Sequence, residues 1–315
     1  MSSTSAAPFK KILIPLDGSP TAEAVIPYAS KLARDFDSCI TLLHVASHKE
    51  EEFANMGSLF DDEVPVNLEA LIVERLREVA GGLRSEGLSV KSMLTYGSPS
   101  ERIVGFSQKN HYDLIAMSTR GLSGITRWVC GSIASRVLHS TRKPLLLVKP
   151  TSSNGTMEEE GRFWKILVPL DGSVLAETVL PVVETLSVHM GCEVTLVRVV
   201  SSVSIAARVR EMLAALPHNY STALDSIEKH RREIAGDYLN ALKWEMSIRG
   251  LTPEVMVAEG DPAAQIIDLS QDMGRPLIVM ATHGRTGISR SVLGSVADRV
   301  LRGCSNPVLL MRPGN

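Results

Sequence analysis

The sequence contains an internal repeat, in which long segments of the first half recur in the second half with few changes. The segment KILIPLDGSPTAEAVIPYA at Lys11–Ala29 returns as KILVPLDGSVLAETVLPVV at Lys165–Val183. In the same way, STRGLSGITRWVCGSIASRVL at Ser118–Leu138 returns as ATHGRTGISRSVLGSVADRVL at Ala281–Leu301. A repeat of about 160 residues is far longer than the roughly 20–50 residues of solenoid repeats, so each copy is long enough for its own hydrophobic core. The sequence therefore predicts one domain that has been duplicated.

The domain boundaries follow from the segment between the two copies. Pro150–Gly161 reads PTSSNGTMEEEG, which is rich in Ser, Thr, Gly and Glu and has little apolar surface to bury. We predict domain 1 at 1–150, a linker at 151–161 and domain 2 at 162–315.

Short apolar, β-branched segments alternate with helix-period segments in each half. In the first half the predicted strands are 11–16, 39–45, 90–96, 113–118 and 144–149, and the predicted helices are 20–36, 67–86, 99–110 and 132–141. Ser19 and Ser98 each precede a proline and are predicted N-caps. The alternation predicts an α/β fold in which each domain is a five-stranded parallel sheet with helices on both faces.

Composition excludes several classes of function. A net charge of −2 leaves no basic field for nucleic acid, so we expect no nucleic-acid partner. No apolar run approaches the roughly 18–20 residues of a membrane span, and Met1–Pro8 lacks the features of a signal peptide, so we expect a cytoplasmic protein with no membrane partner. No His, Cys, Asp or Glu cluster has metal-ligand spacing, so no metal site is expected.

The candidate functional residues lie at predicted strand ends. In a doubly wound sheet, ligands bind outside the carboxyl ends of strands where the strand order reverses. Asp17 and Asp171 close the first strand of each half, and a glycine-rich loop follows the fourth strand. That loop leads into a helix whose first amides attract anions. The sequence therefore predicts an anion-binding crevice in each half. The alternative is a purely structural role, in which each aspartate only caps the following helix.

These motifs together resemble the universal stress protein family in its tandem two-domain form. They are the lysine-led strand ending in PLDGS, the GSP at 97–99 and GDP at 260–262, and the G-x9-G-[ST] loop before a final PLLLV or PVLLM strand. The resemblance implies a Rossmann-like (adenine nucleotide alpha hydrolase-like) fold. It also implies a stress-response regulator that binds ATP or another adenine nucleotide, which Mg²⁺ could accompany.

The resemblance also implies which residues contact the nucleotide. The aspartate lies near adenine and ribose, a valine offers its backbone, and the glycine loop with its serine holds the phosphates. In domain 1 these residues are Pro15, Leu16, Asp17, Val45, Met117, Ser118, Arg120, Gly121, Gly131, Ser132 and Ile133. In domain 2 they are Pro169, Leu170, Asp171, Val199, Met280, Ala281, His283, Gly284, Arg285, Gly294, Ser295 and Val296.

Both copies depart from the family pattern at one position. The first glycine of the loop is Ser118 in one copy and Ala281 in the other, and the side chain there could crowd a nucleotide. Ala281 is the milder change from glycine, and His283 and Arg285 add polar groups to the second loop. We therefore rank the second site slightly ahead of the first as a nucleotide-binding site. A further alternative is that only the second domain binds.

Three questions of function and assembly stay open at this point. No Ser/His/Asp set occurs in both halves. We therefore expect no efficient enzyme, and at most slow hydrolysis of ATP. A partner-binding stress module with a degenerate nucleotide site is the alternative to nucleotide regulation. The resemblance to two-chain members of the family also implies that the two domains form an internal pseudo-dimer through the edge strands at 144–149 and 307–311, and a homodimer could form as well.

Overall fold

The chain folds into two compact units, each built on parallel strands. The computed structural model describes residues 9–46, 68–119, 131–150, 165–201, 219–282 and 293–312. The first unit comprises residues 1–162 and 305–315, and the second comprises residues 163–304. The predicted linker at 151–161 lies outside the described residues.

The described part of the first half alternates strands and helices as predicted. Its strands are β1 (Lys11–Pro15), β2 (Cys39–Ala46), β3 (Ser89–Tyr96), β4 (Leu114–Ser118) and β5 (Leu145–Val148). Its helices are α1 (Pro20–Glu23), α2 (Ile26–Phe36), α3 (Leu68–Ser85), α4 (Pro99–Lys109) and α5 (Ser132–Ser140).

The second half repeats this succession. Its strands are β6 (Lys165–Pro169), β7 (Glu193–Val200), β8 (Glu254–Glu259), β9 (Leu277–Ala281) and β10 (Val308–Met311). Its helices are α6 (Val174–Glu177), α7 (Leu180–Met190), α8 (Asn219–Ile248), α9 (Pro262–Asp272) and α10 (Ser295–Gly303). None of these described helices combines the length and apolar character that a membrane crossing requires.

The strand order places a reversal beside the first strand of each half. In the first unit the order is β3-β2-β1-β4-β5, and β1 is parallel to both β2 and β4. In the second unit the order β8-β7-β6-β9 repeats this pattern, with β6 parallel to β7 and β9. The connection leaves β1 on one side and returns on the other, so a crevice forms at the carboxyl ends of β1 and β4 and of β6 and β9. The α/β prediction is confirmed.

The last strand of the chain packs with the first unit. β10 runs antiparallel to β5, with Val308 opposite Leu147 and Leu310 opposite Leu145. The two predicted edge strands are thus paired, and the side chains of residues 145–148 and 308–310 are almost fully buried. The parallel strands of the first unit therefore end in one antiparallel neighbour.

The predicted helix over 20–36 is wrong, because the chain forms two helices there. Pro27 lies in the first turn of α2 and has no backbone N–H to donate to the carbonyl four residues earlier. The helix breaks after Glu23, and Pro181 stands at the same place in the first turn of α7.

The two predicted N-caps behave differently. The Ser19 hydroxyl accepts a hydrogen bond from the Ala22 amide over 3.1 Å, as a cap does. Ser98 has extended backbone before α4, but its side chain makes no cap hydrogen bond. Asp261 holds the corresponding position before α9, and its carboxylate accepts from the Ala264 amide over 3.0 Å. Of these two related positions, only Asp261 caps its helix through the side chain.

Candidate functional site

Each unit contains one cavity at the carboxyl edge of its central strands. The cavity in the first unit has a volume of about 250 Å³, and the cavity in the second has a volume of about 460 Å³. Both lie where the strand order reverses, the position at which open α/β sheets bind ligands. The first is called cavity 1 and the second cavity 2.

The predicted residues of domain 1 that the structure describes all line cavity 1. They are Pro15, Leu16, Asp17, Val45, Met117, Ser118, Gly131, Ser132 and Ile133. Arg120 and Gly121 lie outside the described residues.

The second half behaves in the same way. The predicted residues of domain 2 that line cavity 2 are Pro169, Leu170, Asp171, Val199, Met280, Ala281, Gly294, Ser295 and Val296. His283, Gly284 and Arg285 lie outside the described residues.

The aspartate after the first strand organises the turn into the next helix. Asp17 Oδ1 accepts hydrogen bonds from the Ser19 amide over 3.0 Å and from the Ser19 hydroxyl over 2.6 Å. Asp171 Oδ1 holds Ser173 in the same way, over 2.9 and 2.6 Å. Each aspartate therefore holds the serine that caps the following helix and does not cap that helix itself, and each also lines its cavity. One carboxylate can serve both purposes because its two oxygens together have about four acceptor sites.

A helix N-terminus points at each cavity. α5 begins after Gly131 and α10 begins after Gly294, and neither glycine supplies a side-chain cap. The Gly131 amide donates to the Thr119 carbonyl over 2.6 Å, and the Gly294 amide donates to the Thr282 carbonyl over 2.8 Å, which fixes each helix against a strand end. Uncapped first-turn amides favour an anionic group.

The residues at the substituted glycine position face this space. Ser118 is 6% exposed and Ala281 is 8% exposed, and each ends its strand among the cavity residues. Their side chains occupy volume that the family glycine would leave open. The cavities remain despite them.

Cavity 2 includes two cations that sequence reasoning did not place there. Arg198 in β7 and Arg231 in α8 line it, together with Ile234 from the same helix. A signal for Arg198 existed, because it directly precedes Val199 and corresponds to His44 in the first copy. Arg231 had no such signal, since it depends on how α8 packs over β7.

Arg198 is held by an aromatic ring. Its guanidinium carbon is 4.9 Å from the centre of the Tyr238 ring, which is cation–π geometry. The Tyr238 hydroxyl donates to Glu177 Oε1 over 2.9 Å. Burial, followed by this bond to a carboxylate, raises the pKa of Tyr238 above its ordinary value. The phenol therefore stays protonated and keeps donating.

The first unit arranges the related residues differently. Glu23, the counterpart of Glu177, pairs with Arg75 of α3 through two contacts of 2.8 and 2.7 Å. His44 is buried, and its Nδ1–H donates to the Leu16 carbonyl over 2.8 Å. Arg75 is not among the residues that line cavity 1.

The described residues show no preformed metal centre. No group of three or more His, Cys, Asp or Glu side chains in the described part of the chain is arranged to hold a metal ion. The cavities instead offer backbone amides, hydroxyls and, in cavity 2, guanidinium groups, which are ligands for an anion.

The chain resembles known proteins along nearly its whole length. It is 22% identical over 306 residues to a universal stress protein of Mycobacterium tuberculosis, covering 96% of each chain. A universal stress protein of Methanocaldococcus jannaschii is 29% identical over 148 residues, which is 45% of this chain and 82% of that protein.

A solved structure shows the same fold. The crystal structure of a universal stress protein from Archaeoglobus fulgidus superposes with a TM-score of 0.64 at 21% identity, covering 98% of this chain and 100% of that one. The sequence profile of the Universal stress protein family matches residues 8–149 and again residues 162–312. The chain therefore belongs to the universal stress protein family, in its tandem form.

Proposed function

We propose that this protein is a nucleotide-responsive regulator of the stress response and that its cavities bind ATP or a related adenine nucleotide. One observation carries the proposal. In each half, every described residue that the family pattern assigns to the nucleotide lines a single cavity at the strand reversal. Residues from three separate strands and a helix N-terminus converge there, as a shared ligand requires.

The chemistry of each cavity suits the parts of a nucleotide. The uncapped amides of α5 and α10 would receive phosphate oxygens, and Ser132 and Ser295 would add hydroxyl donors. Asp17 and Asp171 would accept from ribose, and the backbone at Val45 and Val199 would meet the base. Mg²⁺ would enter with a polyphosphate, because the described residues hold no metal cluster of their own.

The proposed mechanism is a shift between conformational states and not turnover. A nucleotide that binds one arrangement of the chain more tightly than another raises the population of that arrangement. The polar groups that line the described cavities bind and orient, and no nucleophile with an adjacent base and an orienting partner lies among them. The duplicated domain supports an internal pseudo-dimer as the unit that responds.

Calorimetric titration of the full chain with ATP tests this proposal. Ser132→Glu and Ser295→Glu each place a carboxylate at a helix N-terminus, where it favours the helix and repels phosphate. We expect each variant to lose about tenfold or more in affinity at its own cavity, a loss of about 1.4 kcal/mol. Ser140→Glu, the same change at the far end of α5, is the control and should bind like the unmodified protein. Equal ATP affinity in the Ser132→Glu/Ser295→Glu double variant would contradict the proposal.

A partner-binding module with a degenerate nucleotide site is the second candidate. The observation that favours it is the exposed apolar surface of α8, where Trp244 and Ile248 are each 67% exposed and Ile227 is 56% exposed. Calorimetry without heat for any adenine nucleotide, from protein shown to be folded, would favour this second function.

A further inference from the structure

We infer that the two cavities select ligands by charge, that cavity 2 takes the more anionic nucleotide, and that Arg198 sets this preference. The inference rests on the proposed nucleotide binding and adds a difference between the two sites. It concerns the described residues of each cavity, which come from corresponding elements of one duplicated domain.

The charges that line the two cavities differ. In the described lining of cavity 2, Arg198 and Arg231 outweigh Asp171 and leave one net positive charge. In the described lining of cavity 1, the ionisable residues are Asp17 and His44, so the formal charge is −1 with a neutral imidazole. The two sites are therefore two formal charges apart.

One of these two charges is Arg231 of α8, and the other arises from the exchange of a cation between a helix and a strand. In the first unit the cation is Arg75 of α3, and Glu23 neutralises it outside the described lining of cavity 1. In the second unit Tyr238 of α8 bonds Glu177, and the cation is Arg198 at the end of β7. The glutamate is retained while the positive charge moves to the cavity.

The Arg198 side chain is held in place at the lining of cavity 2, where it could bind an anionic ligand. Its guanidinium lies against the Tyr238 ring, and the Tyr238 hydroxyl is anchored on Glu177. In the described part of the chain, no salt bridge joins Arg198 or Arg231 to a carboxylate. A restrained guanidinium without a carboxylate partner loses little conformational freedom when an anion arrives.

A partly enclosed cavity makes this charge difference effective. Two charges about 4 Å apart interact far more strongly at the lower effective dielectric of a protein surface than in water. ATP carries more negative charge than AMP, so each added positive charge favours ATP. We expect a preference of about tenfold or more for ATP over AMP in cavity 2, against less than about threefold in cavity 1.

Methionine methyl NMR measures ligand binding at each of the two cavities separately in the intact protein. Met117 lines cavity 1 and Met280 lines cavity 2. Protein labelled with ¹³C at the methionine methyl groups is titrated with AMP and with ATP at one ionic strength without divalent cations. Met117→Leu and Met280→Leu assign the two signals. The ratio of AMP to ATP dissociation constants is then measured at each methyl.

Three variants test the role of Arg198. Arg198→His installs the residue of the first copy and should lower the ATP preference at Met280 about tenfold while leaving Met117 unchanged. Arg231→Gln, on the surface of α8, should also lower the ATP preference at Met280. This variant serves as the test if Arg198→His does not fold. Arg232→Gln is the control, because Arg232 pairs with Glu259 over 2.8 Å and does not line the cavity.

The outcomes separate this inference from the proposal beneath it. ATP preference at Met280 that falls in Arg198→His, or in Arg231→Gln where Arg198→His does not fold, but not in Arg232→Gln, supports the inference. Nucleotide binding at both methionines with the same charge preference, unchanged in the variants, overturns the inference and leaves the proposed function standing. A response at neither methionine overturns both.

Discussion

Arg198 stacks on Tyr238, with the guanidinium carbon 4.9 Å from the ring centre, and this contact has no equivalent in the described residues of the first unit. Position 44 holds a histidine that donates to the Leu16 carbonyl, and Arg75 replaces the tyrosine as the partner of the glutamate. The two copies keep the same strands and the same aspartate turn but differ in the charge beside the cavity.

Replacing the turn glycine should cost more in the second half than in the first. Gly18 and Gly172 have φ values of +83° and +81°, a conformation that costs a residue with a Cβ about 1 kcal/mol or more. A Cβ on Gly172 would lie 3.1 Å from an Arg198 nitrogen, whereas one on Gly18 would lie 3.8 Å from Ile72. We therefore expect Gly172→Ala to lower the urea midpoint more than Gly18→Ala.

Circular dichroism during urea unfolding measures both glycine variants. A Gly18→Ala variant as unstable as Gly172→Ala would show that Arg198 does not crowd the second turn.

Asp171 and Ser173 should separate turn formation from ligand binding. The Ser173 hydroxyl caps α6 by accepting from the Ala176 amide over 3.2 Å, so Ser173→Ala should cost about 1 kcal/mol of stability. Its ATP affinity should change less than about twofold, since the turn retains the Asp171 bond to the Ser173 amide over 2.9 Å. Asp171→Ala should lose similar stability and about tenfold in affinity.

Calorimetry and thermal unfolding of the Asp171 and Ser173 variants decide the point. Equal affinity losses in both variants would mean that Asp171 acts only through the turn.

The pair between Asp261 and Arg299 should make stability depend on acid pH. Arg299 donates to both oxygens of Asp261 over 2.7 Å, and this bond, followed by the Ala264 amide, lowers the pKa of the Asp261 carboxyl. A lowered pKa contributes stability above the ordinary aspartate pKa of about 4, and the contribution disappears as pH falls through the folded value. Arg299→Gln should lower Tm by at most about 2 °C at pH 7, because the pair is exposed.

The decisive comparison for Asp261 is the Tm difference between Arg299→Gln and the unmodified protein, measured from pH 7 to pH 2.5. The difference should shrink toward zero at the acid end. A difference that is constant across this range would refute the role of the Asp261 charge.

Two tyrosines should make the protein less stable in alkali. Burial is the main cause that raises the pKa of Tyr112 and of Tyr238 above the ordinary value of 10. Above pH of about 10 the unfolded chain releases these protons before the folded one does, so stability falls as pH rises. Tyr238→Phe should flatten this decline in urea unfolding between pH 9 and 11. An unchanged slope would mean that Tyr238 ionises equally in both states.

Much of the fold could be predicted because its signals are local. Apolar β-branched segments fix the strands, and the Asp-Gly-Ser turns follow from a positive-φ glycine beside a capping serine. The break at Pro27 was missed because the apolar period continues across it, although proline chemistry forbids the bond. Arg231 reaches cavity 2 through the packing of α8, which no neighbouring residue signals. The pairing of β10 with β5 joins strands far apart in the sequence, and only the family resemblance predicted it.

Both cavities should bind adenine nucleotide, and native mass spectrometry can count the nucleotides on each chain. Freshly purified, undialysed protein is measured first, and then protein with millimolar ATP added, counting nucleotides per chain. We expect two adenine nucleotides per chain at saturation, with Asp17→Ala and Asp171→Ala each removing one. A chain that stays free of nucleotide at millimolar ATP would show that neither cavity is a nucleotide site.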